Sequence, residues 1–123
     1  RLKLAELLLG VRAGEAWGAY PLERLGRSGP VVNEALGGVP LSVWFLASER
    51  SAAAYDRRLG ERTLTFALRD GRVTDAETGS TWSPEGEAQE GPLKGQRLRR
   101  PEQLLTEWYG WFAHHPGTTI WEP

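Results

Sequence analysis

The side chains able to do acid–base chemistry are few and thinly spread. Asp70, Asp75 and Glu77 fall within one stretch of eight residues, and Asp56 precedes them. Paired carboxylates serve as general acid and base or hold a hard cation. These lack the alternating oxygen ligands and terminal glutamate of a calcium loop. Turn chemistry is a simpler reason for two of them: Asp70 precedes Gly71, and Glu77 precedes Thr78-Gly79. His114 and His115 are the only histidines. Neighbours on a helix point about 100° apart, so as helical residues the pair does not face one metal ion. A helix C-terminus, which favours cations, accounts for one of them. Asp56, Asp75, Glu77 and His115 form the candidate polar site; no metal ligand set and no cofactor is implied.

Other reactive constellations are missing from the sequence. There is no cysteine, which removes disulfides, thiolate-bound zinc, iron–sulfur clusters and thiol catalysis together. No serine sits in a nucleophile elbow, because Gly26-Arg27-Ser28-Gly29 has its second glycine one position early. Gly37-Gly38 and Gly91–Gly95 lack the lysine and hydroxyl end of a phosphate loop. Six tryptophans in 123 residues are many. Trp44, Trp108 and Trp111 lie in apolar runs and read as core. Trp17, Trp82 and Trp121 are less constrained and form the candidate aromatic surface, of the kind that takes sugars, peptides or cationic groups.

The net charge of −1 gives no general attraction to nucleic acid or to an anionic membrane. Lys94, Arg97, Arg99 and Arg100 stand beside Glu85, Glu87 and Glu90, a self-compensating surface. No stretch approaches the ~18 apolar residues that span a bilayer. The chain has no methionine and so no start residue of its own, as in a processed protein or a fragment. Its length suits a single domain over 1–123.

The elements that must position these groups are short. Leu2, Ala5, Leu8 and Leu9 fit one helical face, leading into a strand at Leu7–Val11. Ala13-Gly14 turns a first hairpin, and Pro21–Leu25 makes one helical turn. Leu41–Leu46 is apolar on both faces, as in a central buried strand. Arg62–Leu68 alternates cleanly, with Leu64, Phe66 and Leu68 on one face. Asp70-Gly71 is a strong hairpin turn. Short strands follow at Thr81–Ser83, Ala88–Glu90, Gln96–Arg99 and Thr118–Trp121. One helix opens at Pro101 and puts Leu104, Leu105, Trp108, Trp111 and Phe112 on a single face. If buried, that stripe contributes on the order of 8–12 kcal/mol. Gly110 lies inside it, as if a close neighbour demanded its lack of side chain. The sum is α+β: mostly antiparallel short strands in a rolled sheet or partial barrel, closed by one C-terminal helix.

Several blocks carry a resemblance. Gly14-Glu15-Ala16 and Ala19-Tyr20-Pro21-Leu22 come first, then Val32-Asn33-Glu34 with Gly37–Leu41. Tyr55–Arg58 and Arg62–Phe66 follow. The closest block runs from Glu77-Thr78-Gly79-Ser80-Thr81-Trp82-Ser83 to Gly91-Pro92-Leu93-Lys94-Gly95-Gln96-Arg97-Leu98. In this order they resemble domain-of-unknown-function family 3179. The resemblance implies two cysteines after the strand ending at Val43, where this chain has Leu46 and Glu49, and a histidine near Gly29. A cysteine pair with a nearby histidine is what a metal or redox site requires. Leu46 and Glu49 therefore mark a vestigial site. The resemblance also leans towards an extracytoplasmic or envelope location.

Three functions follow from this reading. The first is a non-catalytic binding or assembly module with a protein partner. The second is an enzyme with an acidic site rebuilt from Asp56, Asp75, Glu77 or His115. The third is an aromatic carbohydrate- or peptide-binding module built on Trp17, Trp82 or Trp121.

Overall fold

The computed structural model of the protein describes residues 5–123. The first half of the chain forms β1 (Leu7–Ala13), β2 (Ala16–Pro21), α1 (Leu22–Ser28), β3 (Val31–Leu36), β4 (Val39–Leu46), a 3-10 turn (Ala47–Glu49) and β5 (Ser51–Asp56). Then come β6 (Arg58–Leu59), β7 (Arg62–Thr63), β8 (Phe66–Arg69), β9 (Arg72–Asp75), β10 (Thr81–Trp82) and β11 (Ala88–Glu90). The chain closes with β12 (Glu102–Glu107), α2 (Trp108–His114) and β13 (Thr119–Ile120). Three sheets run in the orders β12-β1-β2-β13, β3-β4-β5 and β11-β10-β9-β8, with β6-β7 as a small hairpin. Every pairing is antiparallel except that of β13 with β2. The sheets are not closed into a barrel.

The alternation of β4 and β5 fixes how the layers stack. Successive side chains of a strand point to opposite faces. Leu41 and Val43, with Ala52 and Ala54, enter a core shared with Leu9, Val11 and Tyr20 of the first sheet. Trp44, with Ala53 and Tyr55, enters a second core with Phe66, Trp82 and Leu98. The β3-β4-β5 sheet is therefore the filling between two others, which is why β4 is apolar on both faces. α2 covers the far side of the first sheet. Its Trp111 lies over Gly10, where any Cβ would collide with the indole ring.

Carboxamide side chains stitch the sheets together. At the β5/β12 seam, Gln103 accepts from the Ala54 N–H and donates to the Ala54 carbonyl, both at 2.9 Å. The Asp56 N–H donates to the Arg99 carbonyl beside it at 2.9 Å. At the β3/β8 seam, Asn33 accepts from the Phe66 N–H at 3.1 Å and donates to the Phe66 carbonyl at 2.7 Å. Each amide imitates a peptide unit of an adjoining strand and satisfies main-chain groups that burial would otherwise orphan.

Several sequence expectations are corrected. The helix expected from Pro101 begins only at Trp108. Glu102–Glu107 is instead a strand, because the edge of β1 recruits it: Gly10 pairs with Leu104 and Leu9 with Leu105. The apolar stripe is accordingly split. Trp111 is buried, whereas Leu104, Leu105 and Phe112 are exposed and Trp108 is half-buried. Gly110 has no close neighbour, since a Cβ there would meet only the Thr106 hydroxyl at 3.6 Å. The strand expected over Arg62–Leu68 breaks at Leu64-Thr65, where the Leu64 N–H turns to the Arg57 carbonyl. Gln96–Arg99 makes one bridge, Glu87 to Arg97, rather than a strand. The helical turn expected from Leu2 begins outside the described residues, and Leu7 onward is strand. α1 is a second helix beside α2.

Candidate functional site

A groove of about 640 Å³ opens where β3 and β8 diverge beyond Asn33. Its apolar walls are Pro30, Val31, Phe45, Leu46, Leu68 and Val73, and Thr81, Ser83 and Gln89 line it as well. The size falls within the usual range for ligand sites. Leu68, 48 % exposed, carries the apolar face of β8 past the end of the central sheet. Val73 stands opposite it on β9. The Asp70-Gly71 turn allows this overhang: both residues hold positive φ, 51° and 78°, as a tight hairpin of matching twist requires.

Trp44 and Trp82 form the floor, within a longer run of packed rings. Tyr55 lies 4.6 Å from Trp44, Trp44 lies 5.4 Å from Phe66, and Phe66 lies 5.6 Å from Trp82. Both indole N–H groups point away from the groove. Trp44 Nε1 donates to Ser42 Oγ at 2.8 Å, and Trp82 Nε1 donates to Asp75 Oδ2 at 2.9 Å. On these walls the groove presents ring and aliphatic surface, beside the polar side chains of Thr81, Ser83 and Gln89. Tyr55 also fixes one rim, donating from its hydroxyl to the Pro84 carbonyl at 2.6 Å while its ring lies over Gly86. Burial pushes the Tyr55 hydroxyl above its ordinary pKa against the opposing pull of Arg100. It stays a protonated donor through the physiological range. An exposed pair, Arg72 with Glu90 at 2.9 Å, closes the other rim and carries both signs of charge.

Each of the four candidate polar residues has partners of its own. Among the described residues no hydrogen bond or ring contact joins them. Asp75 is fully buried and accepts from the Thr78 N–H, the Thr78 hydroxyl and Trp82 Nε1. Glu77 accepts from the Thr65 N–H at 2.7 Å, covering the break between β7 and β8. Asp56 accepts from the Arg58 N–H, Nε and Nη2. Burial pushes its carboxyl up, but those bonds and the Arg58 charge outweigh it, so the pKa lies below the usual carboxylate value. His115 is stacked on Trp17, with ring centres 3.8 Å apart, and tilted against Trp111. The residue is the C-cap of α2 and leaves the helical conformation, so its ring does reach the same hollow as His114. His114 Nδ1 lies 3.0 Å from the Gly110 carbonyl and so donates to it. Among the described residues no three His, Asp or Glu side chains gather as a metal ion would need.

Each residue of the candidate aromatic surface likewise has its own partners. Trp82 is buried in the second core and backs the groove. Trp17 is half-buried, with one side against His115 and Arg12 stationed over its ring at 5.3 Å. Trp121 packs on the first core beside Tyr20. Of the vestigial pair, Leu46 lines the groove, whereas Glu49 is exposed in the 3-10 turn beyond it.

Sequence reasoning missed Tyr20 with Glu34. The Tyr20 hydroxyl donates to the Glu34 carboxylate across β2 and β3. Burial, then that hydrogen bond, raises the Tyr20 pKa far above its ordinary value. Two residues fourteen apart on different strands leave no spacing signal. Asn33 as the pivot of the groove was equally silent, because its partner is main chain.

These features belong to a chain of known lineage. The sequence profile of the family described as "protein of unknown function (DUF3179)" matches residues 1–118, and the chain is a member of that family. Neither the curated proteins nor the solved structures contain a match to it. No helix among the described residues is long and apolar enough to cross a membrane. Of the positions that the family resemblance marks, Leu46 lines the groove, as does Pro30 next to Gly29, whereas Glu49 does not.

Proposed function

We propose that the chain is a non-catalytic binding module and that it binds through the groove between β3, β4 and the β8-β9 hairpin. The observation that carries this reading is the contrast between acids and groove. Asp56, Asp75 and Glu77 are each engaged by donors that hold turns or strand ends. The groove has apolar walls at Pro30, Val31, Phe45, Leu46, Leu68 and Val73, the indole N–H groups of Trp44 and Trp82 are bonded away from it, and the Thr81 hydroxyl at its edge is buried without a hydrogen-bond partner among the described residues. A site that exposes apolar surface and no reactive group selects by shape and contact. The aromatic-surface reading has less support, since Trp82 is buried and Trp17 already carries His115.

The test is binding of an apolar fluorescent dye, anilinonaphthalene sulfonate, to the protein and to two variants of exposed leucines. Leu68→Arg should remove most of the dye signal, and Leu104→Arg, in the other exposed apolar region, should remove little. The reverse order would refute the groove. A panel of ester, phosphate, glycoside and redox substrates should give no turnover. Turnover lost on Glu77→Gln or His115→Gln would replace this reading with the acidic-site enzyme.

A further inference from the structure

We propose that the groove takes an extended segment of a partner protein, added as a strand between the edges of β3 and β8. This rests on the groove being the binding site and names the kind of ligand. The phase of the two strand ladders carries it. The β3-β4 hairpin turns through Gly37-Gly38, so Leu36 and Val39 flank a two-residue loop as a hydrogen-bonded pair. Bonded pairs then recur at every second residue. The Phe45 N–H donating to the Pro30 carbonyl at 2.7 Å agrees with that phase. Val31 and Asn33 therefore turn their main-chain groups away from β4.

The β8-β9 hairpin gives the same result from the other side. Arg69 and Arg72 flank Asp70-Gly71, so Arg69 and Ala67 bond to β9. The Ala76 N–H donating to the Thr65 carbonyl at 2.9 Å continues the series. Phe66 and Leu68 face outward. The outward groups of Phe66 are taken by the Asn33 carboxamide. One step further into the groove, Val31 on β3 and Leu68 on β8 have outward N–H and C=O groups with no partner among the described residues. Two strand edges face one apolar trough, and an amide already sits between them at its closed end. A peptide in strand form continues the pattern set by Asn33: its main chain pairs with the edges, and its alternate side chains enter between Leu46, Leu68 and Val73. A helix satisfies its own main chain and would leave both edges bare. The mixed-sign rim of Arg72 and Glu90 selects neither an acidic nor a basic segment.

The experiment selects peptides from a random phage-displayed library on the immobilised protein. Each is then measured by fluorescence anisotropy with one backbone amide N-methylated at a time. Methylation of each of a few adjacent amides, which face Val31 and Leu68 in turn, should weaken binding about tenfold or more, while methylation outside that run changes it little. Leu68→Arg should weaken every selected peptide. Tolerance of methylation at every position, or sensitivity spaced every three to four residues, overturns the strand mode and leaves the groove standing. A library that yields no binder while the dye still distinguishes Leu68→Arg from Leu104→Arg does the same. Peptides indifferent to Leu68→Arg, with a dye signal equally indifferent, overturn the groove itself.

Discussion

The seams on either side of the central sheet solve one problem differently. At β5/β12 the Gln103 amide grips Ala54, and the Asp56–Arg99 bond carries the pairing onward, so the edge is finished. At β3/β8 the Asn33 amide grips Phe66, and among the described residues no further bond follows it on the groove side. Both seams use a carboxamide as a false peptide unit. Unsatisfied edges are ordinarily covered or blunted, because they recruit other strands. An edge left open beside an apolar trough is the part of this molecule best suited to recruit something.

The largest effects should come from the two amides. Asn33→Ala and Gln103→Ala each orphan a buried N–H and a buried carbonyl, so each should cost about 2–4 kcal/mol in urea unfolding. They should part company in function. Gln103→Ala should leave dye binding by the folded protein intact, whereas Asn33→Ala should abolish it, because the trough loses its closed end. Equal loss of binding in both would erase the distinction between the seams.

Asp75→Asn comes next. The carboxylate accepts three donors, and the amide must turn an NH₂ towards at least one, at a cost of about 1.5–3 kcal/mol. Trp82 should loosen, which a red shift and easier quenching of its fluorescence would report. Retained stability with lost turnover of some substrate would instead mark Asp75 as catalytic.

Much of the scaffold was legible. Leu41–Leu46 declared a strand buried on both faces, and Asp70-Gly71 declared its turn. The C-terminal segment misled because Leu104 and Leu105 fit a helical stripe as well as a strand, and only the presence of β1 decides between them. The candidate site was legible in part. Leu46, marked through the family resemblance, lies in the groove wall. Asn33, Leu68 and Val31 act through main chain and edge geometry, which no spacing of side-chain types encodes. Tyr20 and Glu34 meet only when β2 and β3 do.

That third seam makes a smaller, pH-dependent prediction. Burial and the Glu34 bond raise the Tyr20 pKa, so the protonated hydroxyl is worth more folded than unfolded. Its contribution is complete below the unfolded value of about 10 and is lost as pH rises above it. Tyr20→Phe should flatten this alkaline loss in thermal melts, while Gln103, which does not titrate, contributes no pH dependence. Asp56 has the opposite sign: its pKa is lowered, so its contribution holds above the usual carboxylate value and falls away as pH drops below it. Arg58→Gln should soften that acid limb. Smallest is Gly110→Ala, which should stabilise by about 0.5–1 kcal/mol, since a methyl there meets only ordinary contact.

Hydrogen exchange of individual amides, followed by NMR on the unliganded protein, tests the open seam most directly. The Val31 and Leu68 amides should exchange quickly while those of Ala54, Phe66, Ala67 and Arg69 stay protected. If Val31 and Leu68 exchange as slowly as Ala54 and Phe66, the β3/β8 edge is finished after all and the groove has no main chain to offer.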